Sequence, residues 1–301
     1  IGKKQMNALQ SWAQERADLV EQVAAGVVAI QTPKGRSLSG IVWDAETIVT
    51  AAENLTADQV VVRSASERLD AEVVALDLAT DVAVLRVHSG LPAAARGTSE
   101  RLRAGQPVAL LGREATQVLA QWADIQLVGP SWRSRRGGDI ARTIRFATRL
   151  DEALEGAGIF DATGALCAMA VPNPRGRALG IPVETLTAVQ ARVAQHGYLP
   201  QPYLGVRLQP VWLDETQRTE LGRDRETAVI VTGVDPNSPA QTAGLVFGDL
   251  LLGVCGHAVH SPGAVAREIG ATAIGSTLEL DILRAGEKRQ LSMTVGERPR
   301  R

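Results

Sequence analysis

The chain has little cysteine, no excess of either charge and no long apolar run. Its 301 residues hold two cysteines, Cys167 and Cys255, which form no CxxC pair. Zinc ribbons and dithiol redox motifs are therefore excluded. Both cysteines sit in apolar, strand-like runs and read as buried free thiols. Lys plus Arg number 32 against 33 Asp plus Glu, a net charge of −1. So balanced a chain has no global field to draw it to nucleic acid or to an anionic membrane. No stretch nears the ~18 unbroken apolar residues of a membrane span. With 45% hydrophobic and 22% charged residues the composition is that of a globular protein. The length exceeds a single core of ~100–150 residues, so two or more domains are expected. The first residue is Ile1 rather than Met; the expectation is a leader or anchor that is cleaved from, or precedes, this end.

What is there divides by period. Residues 4–25 read as a helix with Met6, Leu9, Ala13, Val20 and Val23 on one stripe, interrupted by Arg16. That stripe packs on its own domain or serves as a docking or coiled-coil arm. From Val27 the period shortens. Runs such as VVAIQT, SGIVW, TIVTAA and DVAVLRV, then PVALLG, DIQLVG, TIRFAT and GIFDATGALCAMAV, are short and β-branched, with turn residues between them. Such spacing argues for antiparallel sandwiches or barrels. Ala162-Thr163-Gly164 reads as a hairpin turn, and Leu186 to Gln195 as a helix closed by Gly197. Pro200-Gln201-Pro202 reads as a linker. About 95 residues of strands and two short helices follow, and then a basic tail.

Several motifs carry a resemblance. Tyr203-Leu204-Gly205-Val206, Asp235-Pro236-Asn237-Ser238-Pro239-Ala240, Ala243-Gly244-Leu245 and Gly248-Asp249 lie in the last third. Leu38-Ser39-Gly40-Ile41-Val42, Ala79 to Leu85 and Gly180-Ile181-Pro182-Val183 lie before it. Together they resemble the HtrA/Deg family of trypsin-like serine proteases, over roughly residues 18–297. The resemblance implies a mainly β fold. An N-terminal helix (1–25) would lead into a trypsin-like double β-barrel (26–198), followed by a small α+β PDZ domain (199–297) and a basic tail (298–301). It implies that Tyr203, Leu204, Gly205 and Val206 receive a peptide C-terminus. Physically, a glycine-bearing loop turns its N–H groups into an anion nest. The strand leaving it, Val206 to Gln209, offers an edge for peptide pairing, with helix 263–270 as the other wall. An intact fold with an unused or self-filled groove is the alternative.

A serine protease needs a hydroxyl nucleophile, an imidazole base and a carboxylate that orients the imidazole. The family's Thr-x-x-His turn reads Thr50-Ala51-Ala52-Glu53 here, so the histidine position holds Glu53. The aspartate position, Asp81, is retained. Its Gly-Asn-Ser-Gly-Gly loop aligns with Ala153-Leu154-Glu155-Gly156-Ala157, so the serine position holds Glu155. Without nucleophile and base, at best the residual ~10³–10⁴-fold from binding and the oxyanion hole remains. Ala153, in place of the opening glycine, tolerates positive φ poorly and puts the hole itself in doubt. His88, His196, His257 and His260 match no triad position, and Ser39 and Ser131 lack a base in sequence context.

Were Glu53, Asp81 and Glu155 to converge, two charges ~4 Å apart would repel by ~4 kcal/mol at an effective dielectric near 20. Solvent or hydrogen bonding, an arginine partner such as Arg149, or a calcium or magnesium ion would relieve them. Arg133, Arg135, Arg136, Arg142, Arg145 and Arg149 face one acid, Asp139, and read as a solvated loop or as a basic patch for an acidic protein. No interleaved aromatics favour nucleic acid. The expectation is thus a catalytically silent relative without a cofactor, acting as an adaptor or structural subunit that binds a protein or peptide C-terminus. The resemblance further implies a bacterial periplasm, with an anchor N-terminal to Ile1 or membrane-complex partners, and homo-oligomers. A hydrolase with unusual groups and a metal-binding protein built on Glu53, Asp81 and Glu155 are the alternatives.

Overall fold

The computed structural model describes residues 7–33, 35–88, 90–270 and 272–299. Two compact units emerge: one holds the chain to Trp132 together with Ile140–Leu199, the other Arg133–Asp139 and the chain from Pro200.

In the first unit, helix α1 (Ala8–Val23) starts at a capping box between Asn7 and Gln10. The expected Met6 lies outside the described residues. Leu9 is 70% exposed, and Leu19 and Val23 are the residues that α1 buries. Arg16 is held by aromatic faces, its guanidinium 4.4 Å from the Trp12 ring and 4.3 Å from that of Trp122. Strands β1 (Val27–Gln31), β2 (Ser37–Asp44), β3 (Thr47–Thr50), β4 (Gln59–Arg63), β5 (Arg68–Asp77) and β6 (Val82–Arg86) close a barrel in the order β1-β2-β3-β6-β5-β4. Next come β7 (Pro107–Glu114), β8 (Gln117–Gly129) and a small ribbon of β9 (Trp132–Arg133) with β10 (Asp139–Ile140), whose segment Arg133–Asp139 is counted with the second unit. Then follow β11 (Thr143–Arg149), β12 (Gly158–Phe160), β13 (Leu166–Pro172) and β14 (Arg177–Pro182). Leaving the ribbon aside, these close a second barrel, β11-β14-β13-β12-β7-β8. Renumbered from its own first strand, it repeats the order of the first.

Each barrel has its own apolar filling. Val28, Ile30, Leu38, Ile48, Val62 and Leu85 fill the first, and Leu110, Ile125, Ile144, Phe146, Ile159 and Ala168 the second. A third cluster runs across both barrels and takes in α1 and α2 (Val183–His196), the helix ended by Gly197 at φ +73. Arg113 is buried and gives its guanidinium to three carbonyls, of Val27, Thr116 and Ala24. It thereby satisfies the end of α1 that helix geometry leaves open.

The arginine-rich segment is largely strand. It forms the β9–β10 ribbon, with Arg133 paired to Asp139 at 3.1 Å, and then β11. On β11 buried Ile144 and Phe146 alternate with exposed Arg145 and Arg149.

The second unit holds a short pair, β15 (Pro202–Tyr203) with β22 (Gly296–Glu297), and a main sheet. The sheet runs β16 (Val206–Trp212), β17 (Thr227–Val234), β18 (Leu250–Val254), β20 (Thr277–Arg284), β21 (Glu287–Thr294), with β19 (His257–Ala258) paired to β18. Three helices accompany it where two were expected: α3 (Glu215–Leu221), α4 (Pro239–Thr242) and α5 (Pro262–Gly270). The missed α3 carries a single apolar residue, Leu221, and buries none, so it has no apolar stripe to read. Cys167 is buried as expected, but Cys255 is exposed. Cys255 and Gly256, at φ +48 and +77, form the two-residue turn from β18 to β19, a geometry that lifts the residue out of the strand. No helix among the described residues is long and apolar enough to cross a membrane.

Candidate functional site

The turn after β3 and the turn before β6 meet at Asp81. Its Oδ1 accepts from the backbone amides of Ala52, at 2.9 Å, and Glu53, at 2.8 Å. Asp81 holds φ +58, a left-handed conformation in which aspartate is among the tolerated residues. Burial pushes its carboxyl up to about 6. The two amide bonds oppose that rise, and the charges of Glu155 and Glu53 add to it. Asp81 therefore feels both of the other expected carboxylates, and the side chain of Glu53 stays exposed.

Glu155 is 2% exposed. Its Oε2 takes a bond from Arg36 at 3.0 Å and its Oε1 one from Asn54 at 2.7 Å, while Arg36 also reaches Asn54 Oδ1 at 3.1 Å. The neutralising cation is thus Arg36, not Arg149, which lies on the outer face of β11. Nearness in sequence suggested Arg149; the partner comes from the first barrel, 119 residues away. No group of three or more His, Cys, Asp or Glu among the described residues is arranged to hold a metal ion. Asp81 Oδ1 and both Glu155 carboxylate oxygens already accept from protein donors.

The loop carrying Glu155 is a tight 3-10 turn, Glu152–Leu154, opened by Asp151. Its amides are spent on the protein. Ala153 donates to Asp151 Oδ1 at 2.9 Å, Leu154 to the Asp151 carbonyl at 3.0 Å and Glu155 to that of Glu152 at 3.2 Å. Gly156 and Ala157 donate to the carbonyls of Ala170 and Leu154. Ala153 does not adopt a positive φ. Ser39, with its hydroxyl on the Ala153 carbonyl at 2.6 Å and its amide on that of Glu155 at 2.8 Å, fastens the loop to β2. Among the described residues no histidine bonds to Asp81. His88 is exposed, His196 ends α2, and His257 pairs with Glu268 at 3.1 Å.

A second constellation lies in the other unit. Gly205 sits at φ +78, and a Cβ there would meet that of Ser238 at 2.2 Å. The Leu204 carbonyl accepts from Ala240 at 2.9 Å and the Gly205 carbonyl from Asp235 at 2.8 Å. A trans peptide points its N–H opposite to its C=O. The amides of Gly205 and Val206 therefore turn away from α4 and β17, to the open side. Tyr203 donates to Asp235 at 2.8 Å, and Arg207 reaches the other oxygen of that carboxylate at 3.1 Å. Asp249, fully buried, holds Arg284 through two bonds of 2.7 Å and caps the Val246 amide. Strand β16 is the edge of its sheet. Val206, Leu208 and the α5 residue Ile269 pack on one apolar cluster.

Comparison with known proteins finds a domain match on either side of Pro200. Residues 38–169 match the trypsin-like peptidase domain family and 202–295 the PDZ domain family. A probable periplasmic serine endoprotease DegP-like of Halomonas elongata is 30% identical over 81% of this chain and 52% of its own length. The putative serine protease HhoA of a Synechocystis strain is 26% identical over 85% of this chain and 69% of its own. The chain spans about half the length of the DegP-like relatives it matches. In fold it is similar to the HtrA-type protease AlgW with decapeptide, at TM-score 0.63 and 23% identity over 95% of this chain and 99% of that one. The serine endoprotease from Yersinia pestis gives 0.63 and 20% over 94% and 98%. A trypsin-like peptidase domain followed by a PDZ domain is the arrangement that matches the HtrA/DegP family.

Proposed function

We propose that this chain is a catalytically silent member of the HtrA/DegP family that binds protein or peptide C-termini through its PDZ domain and keeps its two barrels as scaffold. The observation that carries this is the fate of the loop amides. Around Glu155 they are consumed by the loop's own turn and by the Ala170 carbonyl of β13, and the positions that the resemblance gives to imidazole and hydroxyl hold Glu53 and Glu155. Neither a nucleophile–base pair nor a free donor for an oxyanion is left there. At Tyr203–Val206 the amides of Gly205 and Val206 face outward beside an unpaired strand edge. A terminal carboxylate fits those donors, its peptide pairs along β16, and α5 forms the other wall. The proposed partner is thus a protein C-terminus, not nucleic acid. The relatives' names support a periplasmic setting, and adaptor or assembly roles, including homo-oligomers, follow from the family.

The test is capture of displayed random C-terminal decapeptides by the whole protein. Free-carboxylate peptides bind, their C-terminally amidated forms do not, and Gly205→Glu abolishes capture, because its Cβ would overlap Ser238 and displace the loop that carries the amides. Equal capture by Gly205→Glu removes the groove from the account.

A further inference from the structure

The arginine-rich stretch leaves a cluster on the second barrel that the peptide groove does not use. Strand β11 is held on both sides, by β8 and by β14. Buried Ile144 and Phe146 anchor it inward, so Arg145 and Arg149 ride on a rigid outer face. Arg149 stands directly opposite Arg177 of β14, which is also exposed. Arg145 stands opposite Leu179, only two residues from Arg177. The bulge in β11 therefore draws Arg145 and Arg149 together, since their opposite numbers on β14 are roughly 7 Å apart. Exposed Arg175 sits in the turn before β14, where the Asn173 side chain accepts the amides of Arg175 and Arg177 at 2.8 and 3.1 Å. Like charges directly opposite each other on a sheet repel, and no described residue relieves these. Elsewhere in this unit Arg36, Arg86 and Arg192 each hold an acid. Arg145, Arg149, Arg175 and Arg177 form no ion pair with a described residue; Asp124 of β8 is exposed, and Asp151 spends its Oδ1 on the Ala153 amide. The whole chain carries a net charge of −1, so the cluster is a local field and not part of a basic protein.

We propose that the cluster of Arg145, Arg149 and Arg177 is a second docking surface, for an acidic protein segment that carries several carboxylates close together. A guanidinium fork matches a carboxylate two bonds at a time. Neighbouring acids on one chain neutralise all three arginines at once and remove the repulsion that the free protein retains. The large apolar side chains that the described residues expose, Trp12, Trp212 and Phe247 among them, lie on other elements. This face therefore has nothing to insert into a lipid layer and no exposed ring on which a base would stack. The surface lies on β11 and β14, and binding there needs no part of the loop at Gly205.

The experiment uses the full chain and a fluorescent oligoglutamate peptide, C-terminally amidated so that it offers the PDZ groove no terminal carboxylate. Anisotropy is read at low and at physiological salt for wild type, for Arg149→Thr/Arg177→Thr and for Arg63→Thr/Arg68→Thr. The last two arginines also stand opposite each other, on β4 and β5 of the first barrel, but with Glu67 beside them, and their removal takes away the same charge. Thermal melts check both folds. Wild type should bind the peptide and loosen about tenfold as salt rises. Arg149→Thr/Arg177→Thr should lose about fivefold or more at low salt, while Arg63→Thr/Arg68→Thr stays within about twofold of wild type. No binding by wild type, or equal losses in the two variants, overturns the proposal. So does tighter binding of a labelled single-stranded oligonucleotide or of phosphatidylserine vesicles, or displacement of the peptide by inorganic phosphate at constant ionic strength, each of which assigns the cluster to another anion. If Arg149→Thr/Arg177→Thr does not fold, Arg175→Thr in the turn is read in its place; a loss of about twofold supports the proposal and an unchanged affinity contradicts it.

Discussion

The loop at Asp151–Ala157 and the loop at Tyr203–Val206 each turn on a glycine held left-handed, Gly156 at φ +85 and Gly205 at φ +78. Around Gly156 every amide from Ala153 to Ala157 donates inward, and a buried carboxylate is locked to Arg36 and Asn54. Around Gly205 it is the carbonyls that face inward, which frees the amides. The same backbone device thus serves a closed structure in one place and a receptive one in the other. What separates them is which end of the peptide dipole the surrounding protein satisfies.

The largest effect should come from the closed loop. A Cβ at Gly156 would lie 2.2 Å from the Ser39 carbonyl oxygen and 2.5 Å from the Thr50 hydroxyl. Strain and overlap together put Gly156→Ala at about 3 kcal/mol or more of lost stability in urea unfolding. A neutral Gly156→Ala would break the picture of a tightly fastened loop.

Asp81 gives the next effect, and its sign is opposite. Its carboxyl titrates at about 6 in the fold against 3.8 unfolded, so the fold holds a proton that the unfolded chain releases between those values. The benefit is full below pH 4, is lost as pH rises through about 6, and leaves a penalty of about 3 kcal/mol above that. Asp81→Asn keeps an acceptor for the two amides and suits φ +58. It should stabilise the protein at pH 8 by up to about 3 kcal/mol and have little effect at pH 4. A stability difference that stays flat across that range would contradict the burial of a carboxylate there.

Removing the cation should cost less. Arg36→Met leaves Glu155 with Asn54 alone, a loss of roughly 1–3 kcal/mol at pH 7. Glu155→Gln placed on top should recover part of it, because the uncompensated buried charge goes. A double variant no better than the single would show that the pair is not coupled.

Much of the architecture was legible because it is periodic or punctuated. The barrel strands alternate or run apolar between turns, and the glycines at 205, 244 and 248 fall where the backbone needs them. Leu9 misled because α1 buries only a narrow stripe, displaced toward Leu19 and Val23. Arginine content disguised the β9–β10 ribbon as a loop, whereas TIRFAT of β11 was legible as a strand. Cys255 was read with the apolar run it ends, although Cys255-Gly256 has the form of a two-residue turn. At the candidate site, Glu53, Asp81 and Glu155 could be found by position, but their surroundings could not. The Arg36–Glu155 contact joins distant strands, and the inward-facing amides depend on a 3-10 turn that no residue pattern announces.

The account turns on the absence of peptide-bond chemistry in the barrels, and hydrolysis tests that most directly. Whole protein and Glu155→Ala should both leave casein and fluorogenic peptides at the rate of buffer. Turnover by the wild type that disappears in Glu155→Ala would contradict it.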